Sequence, residues 1–125
     1  MEKEFLLIKK YLKNNDKVLS IGSGIGGLET LMNKKLNNHI CFIEKNYISK
    51  KIKYGWDKKN HEAYNNLNLM EKFLLDNGVK KDNFNIFDFD KDKLPDTKFD
   101  VIISLYSLDY HYEFGLYRDY LSKVM

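Results

Sequence analysis

The sequence predicts an α/β fold built around a parallel sheet. Three observations carry that expectation. Short apolar runs alternate with amphipathic helical segments, a glycine-rich turn follows the first apolar run at once, and Phe99 to Leu105, FDVIISL, reads as a strand buried on both faces. Strands separated by helices in this way are joined by right-handed crossovers.

The elements follow in order. In Glu4 to Leu12 the apolar residues Phe5, Ile8 and Leu12 share one helical face, and Asn14 and Asn15 stop that helix. Lys17 to Ile21 is a short run holding Val and Ile that ends on glycines, which suits a buried strand. A helix from near Gly26 to about Lys35 follows, with Leu28, Leu31, Met32 and Leu36 on one face. His39 to Ile43 is a second strand. Asn46 to Asn60 is irregular, and helical periodicity returns in Glu62 to Asp76, where Ala63, Leu67, Met70 and Leu74 form a stripe and Gly78 is placed as a C′ residue. Phe84 to Phe87 is the third strand, Phe99 to Leu105 the fourth, and Phe114 to Val124 a closing helix.

The 125 residues make room for one domain, 1–125, and 43% hydrophobic with 14% aromatic residues can fill one core. A formal net charge of +3 is a mild basic bias, which neither requires nor excludes a nucleic-acid substrate. Lys50, Lys51, Lys53, Lys58 and Lys59 form the densest basic stretch, either a solvated surface or a set of phosphate contacts. The lone cysteine, Cys41, sits inside an apolar run and reads as a small buried hydrophobe, so there is no disulfide framework. The charged N-terminus has too short an apolar stretch for a signal or a membrane span, and the expected location is cytoplasmic, with no membrane partner. His39, His61 and His111 are too scattered to suggest a metal site.

The turn itself, VLSIGSGIGG at Val18 to Gly27, satisfies both Gly-x-Gly-x-Gly and Gly-x-Gly-x-x-Gly. Missing side chains let the backbone approach a ligand, and the following helix start offers N–H groups and a partial positive end. Glu44 ends the second strand, 22 positions after Gly22, where a doubly wound fold places an acid that can accept from both hydroxyls of a ribose. It reads alternatively as a surface acid at a strand end. At the end of the third strand, FNIFDFD supplies Asp88, which either accepts from an adenine amine, with Phe87 or Phe89 over the ring, or merely terminates the strand.

These pieces, VLSIGSGIGG, the acid in CFIEKN, the acidic end of FNIFDFD and the run FDVIISLYSLDYHY, in this order and spacing, resemble the first four motifs of class I S-adenosylmethionine-dependent methyltransferases. The resemblance spans roughly Asp16 to Leu121. It implies a Rossmann-like three-layer sandwich with a mostly parallel sheet, abbreviated at the C-terminus because the family core has seven strands. It also implies S-adenosyl-L-methionine as cofactor and transfer of a methyl group to an undetermined acceptor, a small molecule before a nucleic acid. Carried over by position, the cofactor contacts are Gly22, Ser23, Gly24 and Gly26, then Glu44 with Lys45, then Asp88 with Phe89, then Ser104. The absence of a DPPY-like sequence after the fourth strand speaks against the amino-methylating DNA enzymes.

Substrate chemistry is expected just past the fourth strand, at the carboxyl edge of the sheet. There Tyr106, Asp109 and His111 are the candidate catalytic residues, His111 as a general base near neutral pH unless the acceptor is already electron-rich. Tyr54, Trp56 and Tyr64 in the insert either cover the ligand or seal the edge of the core. Two other readings remain. One is a module that keeps the cofactor-binding half without turnover and works with a partner chain, such as a second copy covering the open sheet edge. The other is a nicotinamide or flavin binder, which Asp88 and the lack of a second nucleotide-binding half disfavour.

Overall fold

The computed structural model describes residues 1–46, 55–57, 62–64, 66–105 and 114–125. Four parallel strands form the sheet: β1 (Lys17–Ile21), β2 (His39–Glu44), β5 (Phe84–Asp88) and β6 (Val101–Ile103), in the order β5-β2-β1-β6. Strands β1 and β2 lie in the middle, which is why their apolar residues are buried on both faces. A separate antiparallel pair joins β3 (Gly55–Asp57) to β4 (Glu62–Tyr64).

Helices cover both faces and make three layers. On one face, α1 (Glu2–Ile8), α2 (Gly27–Leu36) and α3 (Leu67–Asp76) bury Phe5, Leu28, Met32, Met70 and Leu74 against Val18, Ile40, Phe42 and Phe84. On the other, α4 (Gly115–Val124) packs Tyr117, Leu121 and Val124 against Leu19, Ile21, Cys41 and Ile43. Cys41 is thus a core side chain, and burial pushes its thiol up from the ordinary value. Among the described residues no helix is long and apolar enough to cross a membrane.

The first helix, β1, α2, β2, β5 and the closing helix fall where their patterns place them, to within a few residues. Two expectations are corrected. The third helix starts at Leu67, not at Glu62, and Glu62–Tyr64 instead pairs with Gly55–Asp57, within the stretch read as irregular. The cause of the late start is local: the Asn66 side chain accepts from the N–H groups of Asn68 and Leu69, and Asn46 Oδ1 accepts from Leu67 N at 3.2 Å. Ala63 therefore lies outside the helix it was assigned to. The fourth strand is Val101–Ile103 rather than Phe99 to Leu105, and its residues are half-buried because β6 forms a margin of the described sheet.

Gly78 does end α3. With φ of 86° it occupies C′, its N–H donates to Leu75 O, and Val79 N donates to Leu74 O, the bond pattern of a Schellman motif. Val79 and Leu74 are both buried in one cluster, which supplies the hydrophobic contact of that motif. At the opposite end of the helix, Asn66→Ala is expected to lower stability by about 1 kcal/mol. Urea unfolding monitored by circular dichroism measures this, and an unchanged midpoint would show that Asn46 alone suffices as the cap.

Candidate cofactor site

The site is built where β1 ends. Gly22, Gly24 and Gly26 all take positive φ, 71°, 67° and 87°, a conformation that costs an L side chain about 1–2 kcal/mol. They have different surroundings. A Cβ on Gly26 would lie 3.2 Å from Leu74 Cδ2 and 3.4 Å from Phe42 Cε1, so this glycine lets the start of α2 sit close to the core. A Cβ on Gly24 would meet nothing within 4 Å. Gly26→Ala should therefore destabilise by about 1–2 kcal/mol for the backbone plus the crowding at Leu74, and Gly24→Ala by the backbone part alone. Equal unfolding midpoints for the two variants would refute the packing role.

The end of β2 folds back onto this turn. Glu44 Oε1 accepts from Ser23 Oγ at 2.9 Å and from Gly24 N at 2.9 Å, across 21 and 20 positions of chain. Glu44 is 5% exposed, and burial raises its carboxyl to about 7, against the lowering effect of the Ser23 and Gly24 bonds and with a smaller raising contribution from Glu29. Its backbone carbonyl accepts from Phe89 N at 2.8 Å. In the parallel pairing of β2 with β5, Glu44 stands opposite Asp88, so both acids are at the same carboxyl edge of the sheet and on the same face.

Asp88 is buried and closes its own turn: Oδ1 accepts from Asp90 N at 3.0 Å, and its backbone N–H donates to Asp92 Oδ2 at 2.8 Å. Phe89 packs toward the α4 side, its ring 5.2 Å from that of Tyr117 and 5.3 Å below the Lys45 ammonium. Lys45 Nζ also lies 3.8 Å from Asp90 Oδ1, an exposed pair worth little to stability. Ser104 follows β6, and its hydroxyl donates to Ile21 O at 3.0 Å, tying that strand to the residue before Gly22.

The structure thus brings Gly22, Ser23, Gly24, Gly26, Glu44, Asp88 and Ser104 to one edge. Tyr106, Asp109, His111, Tyr54 and the basic stretch lie outside the described residues, while Trp56 and Tyr64 belong to β3 and β4. Among the described residues, no three of His, Cys, Asp and Glu converge on a metal-holding cluster. A groove of about 230 Å³ beside β5, lined by Glu71, Lys81 and Phe84 among others, contains none of the residues of the glycine turn.

Two buried residues here escape the sequence reading. Ser20 Oγ donates to Glu29 Oε1 at 2.6 Å, joining the middle of β1 to the first turn of α2, and the two residues are 1% and 3% exposed. Burial pushes the Glu29 carboxyl above its ordinary value, with the Ser20 bond opposing. The available signal was Ser20 itself, a polar residue inside an otherwise apolar strand, which needs a buried partner.

The glycine bend and the two buried acids Glu44 and Asp88 thus share the carboxyl edge of the sheet, with Ser23 Oγ and Gly24 N donating to Glu44. No family model matches the chain, and no curated protein does. Among solved structures it is similar to the YcgJ protein from Bacillus subtilis, at 20% identity and a TM-score of 0.49. The match covers 82% of this chain and 36% of that one, so the chain spans little more than a third of the length of that structure.

Proposed function

We propose that the chain binds S-adenosyl-L-methionine at the glycine turn and serves as a methyltransferase toward an undetermined acceptor. The reading is supported above all by Glu44, whose carboxylate is anchored on Ser23 and Gly24 while it stands beside Asp88 at the sheet edge. A carboxylate accepts up to about four hydrogen bonds, which suits it to two adjacent ribose hydroxyls. The bend at Gly24 keeps the backbone open to the ligand, and Ser104 holds the end of β6 against the end of β1. When bound, the cofactor would supply a methyl group on a cationic sulfur, with the neutral thioether S-adenosylhomocysteine as the leaving group. The protein has to align that methyl group with an acceptor nucleophile and exclude water. In this reading Tyr106, Asp109 and His111 are the acceptor-side groups, with His111 taking the proton of an acceptor that needs deprotonation.

A second reading, a binding module without turnover that works with another chain, draws on β6, whose three half-buried residues form a margin of the described sheet. Titration calorimetry at pH 8 with S-adenosylmethionine, S-adenosylhomocysteine and NAD tests both. Binding of the first two without NAD is the expected result, and binding of NAD alone would overturn the adenosyl-methionine reading. Release of S-adenosylhomocysteine in the presence of an acceptor panel would then separate an enzyme from a module.

A further inference from the structure

Gly22, Gly24 and Gly26, all at positive φ, make the bend between β1 and α2 a loose piece of chain unless it is tied on both sides. Its bonds can be followed along the path. Ser104 Oγ donates to Ile21 O at 3.0 Å, Gly22 N donates to Ile43 O at 3.1 Å, and Glu44 accepts from Ser23 Oγ and Gly24 N at 2.9 Å each. These hold the strand side of the bend. On the helix side α2 begins at Gly26 with no side-chain cap, and Thr30 Oγ1 donates to Gly26 O at 2.9 Å, a bond that stays within the helix.

Ser20 and Glu29 join the two sides. Ser20 stands with Val18 on the face of β1 that α2 covers, and Glu29 lies in the first turn of α2. Their bond of 2.6 Å closes a loop that contains all three glycines of the bend. The two residues are 1% and 3% exposed, and Met32, one turn further along α2, is buried and apolar. An apolar side chain at position 29 would fill the same space without taking a carboxyl out of water, so packing alone does not call for a glutamate.

We infer that Ser20 and Glu29 are positioning residues for the adenosyl site proposed above: their buried bond sets the first turn of α2 against the end of β1, and so fixes the course of the glycine bend from which Ser23 and Gly24 reach Glu44. Neither residue touches the ligand in this arrangement. They act through the bend, by holding in the ligand-free protein a backbone path that ligand binding would otherwise have to order. The inference rests on the adenosyl reading for its ligand, and on the ligand-free fold for the bend.

Replacing both partners by apolar residues, Ser20→Ala together with Glu29→Met, separates positioning from stability. Removing donor and acceptor together leaves no buried polar group without its partner, so the urea midpoint should equal or exceed that of wild type. Amide exchange at Gly24, followed by NMR in the ligand-free protein, should nevertheless quicken relative to Phe99, whose N–H donates to Val124 O in the α4 layer. The Kd for S-adenosylhomocysteine should rise about tenfold, the order expected when one residue's backbone has to be fixed on binding. Unchanged affinity, or an unchanged exchange rate at Gly24, overturns the inference. Exchange that quickens equally at Gly24 and Phe99 also overturns it, because the bond would then serve only the stability of the fold. If the double variant does not fold, Ser20→Ala alone is read in the same way. Should wild type bind no S-adenosylhomocysteine, the adenosyl reading falls, and the comparison of Gly24 with Phe99 still decides whether this pair holds the bend.

Discussion

The ligand-free protein should lose about 2–3 kcal/mol of stability between pH 5 and pH 8 through Glu44. Its carboxyl stands at about 7 in the folded chain against an ordinary 4.5. Between those values the folded protein holds a proton that the unfolded chain has released, so stability falls as pH rises. The contribution is fully present below the unfolded value and is lost as pH passes through about 7. Each pH unit in that window is worth about 1.4 kcal/mol per proton. Burial is the main cause, and Glu29, raised by its own burial, acts with the same sign. Urea unfolding at intervals from pH 5 to 8, for wild type and Glu44→Gln, measures the effect. The wild-type slope should flatten in the variant; equal slopes would mean that Glu44 is solvated and ionised throughout.

Glu44→Ala should weaken S-adenosylhomocysteine binding at pH 8 by about 1.5–3 kcal/mol, roughly 10- to 150-fold in Kd. The size follows from losing hydrogen bonds to a charged acceptor. The same change strips Ser23 Oγ and Gly24 N of their acceptor, so part of the loss could come through the turn rather than the ligand. Glu44→Gln separates the two, since it keeps one acceptor for the turn and removes the charge. Calorimetry of both variants, with unfolding midpoints as a check on the fold, gives the answer. Unchanged affinity in Glu44→Ala would remove Glu44 from the site.

The two effects pull in opposite directions on one residue. A carboxyl that costs the folded chain stability above neutrality is the acceptor on which the binding reading depends. Ligand hydrogen bonds would favour the ionised form that burial disfavours, so S-adenosylhomocysteine should protect most against urea at pH 8. Protein designed for stability alone would place an apolar residue there, as at Phe42 and Ile43 just before it.

Much of this was legible in the residue pattern, and the misses have causes. The buried strands Lys17–Ile21 and His39–Glu44 are apolar on both faces because they run through the middle of the sheet. Gly78 was legible because only a residue tolerant of positive φ closes a Schellman motif. The apolar spacing that predicts the third helix extends back to Ala63, past the point where Asn66 caps the helix. The composition of FDVIISL predicts a deeply buried strand, yet Val101–Ile103 sit at a margin of the described sheet, and composition does not report a strand's place in the order.

Hydrophobic period, glycine spacing and cap residues are properties of a few neighbouring positions, so the chain alone dictated the alternation of strands and helices and the bend after β1. Tertiary structure alone decided that Glu44 folds back onto Ser23 and Gly24, that Asp88 stands opposite it, and that Ser20 holds Glu29. Those pairings join residues from 9 to 44 positions apart. They depend on strand order and on which face each side chain enters, and burial then gives the two acids the properties that short peptides of the same sequence would lack.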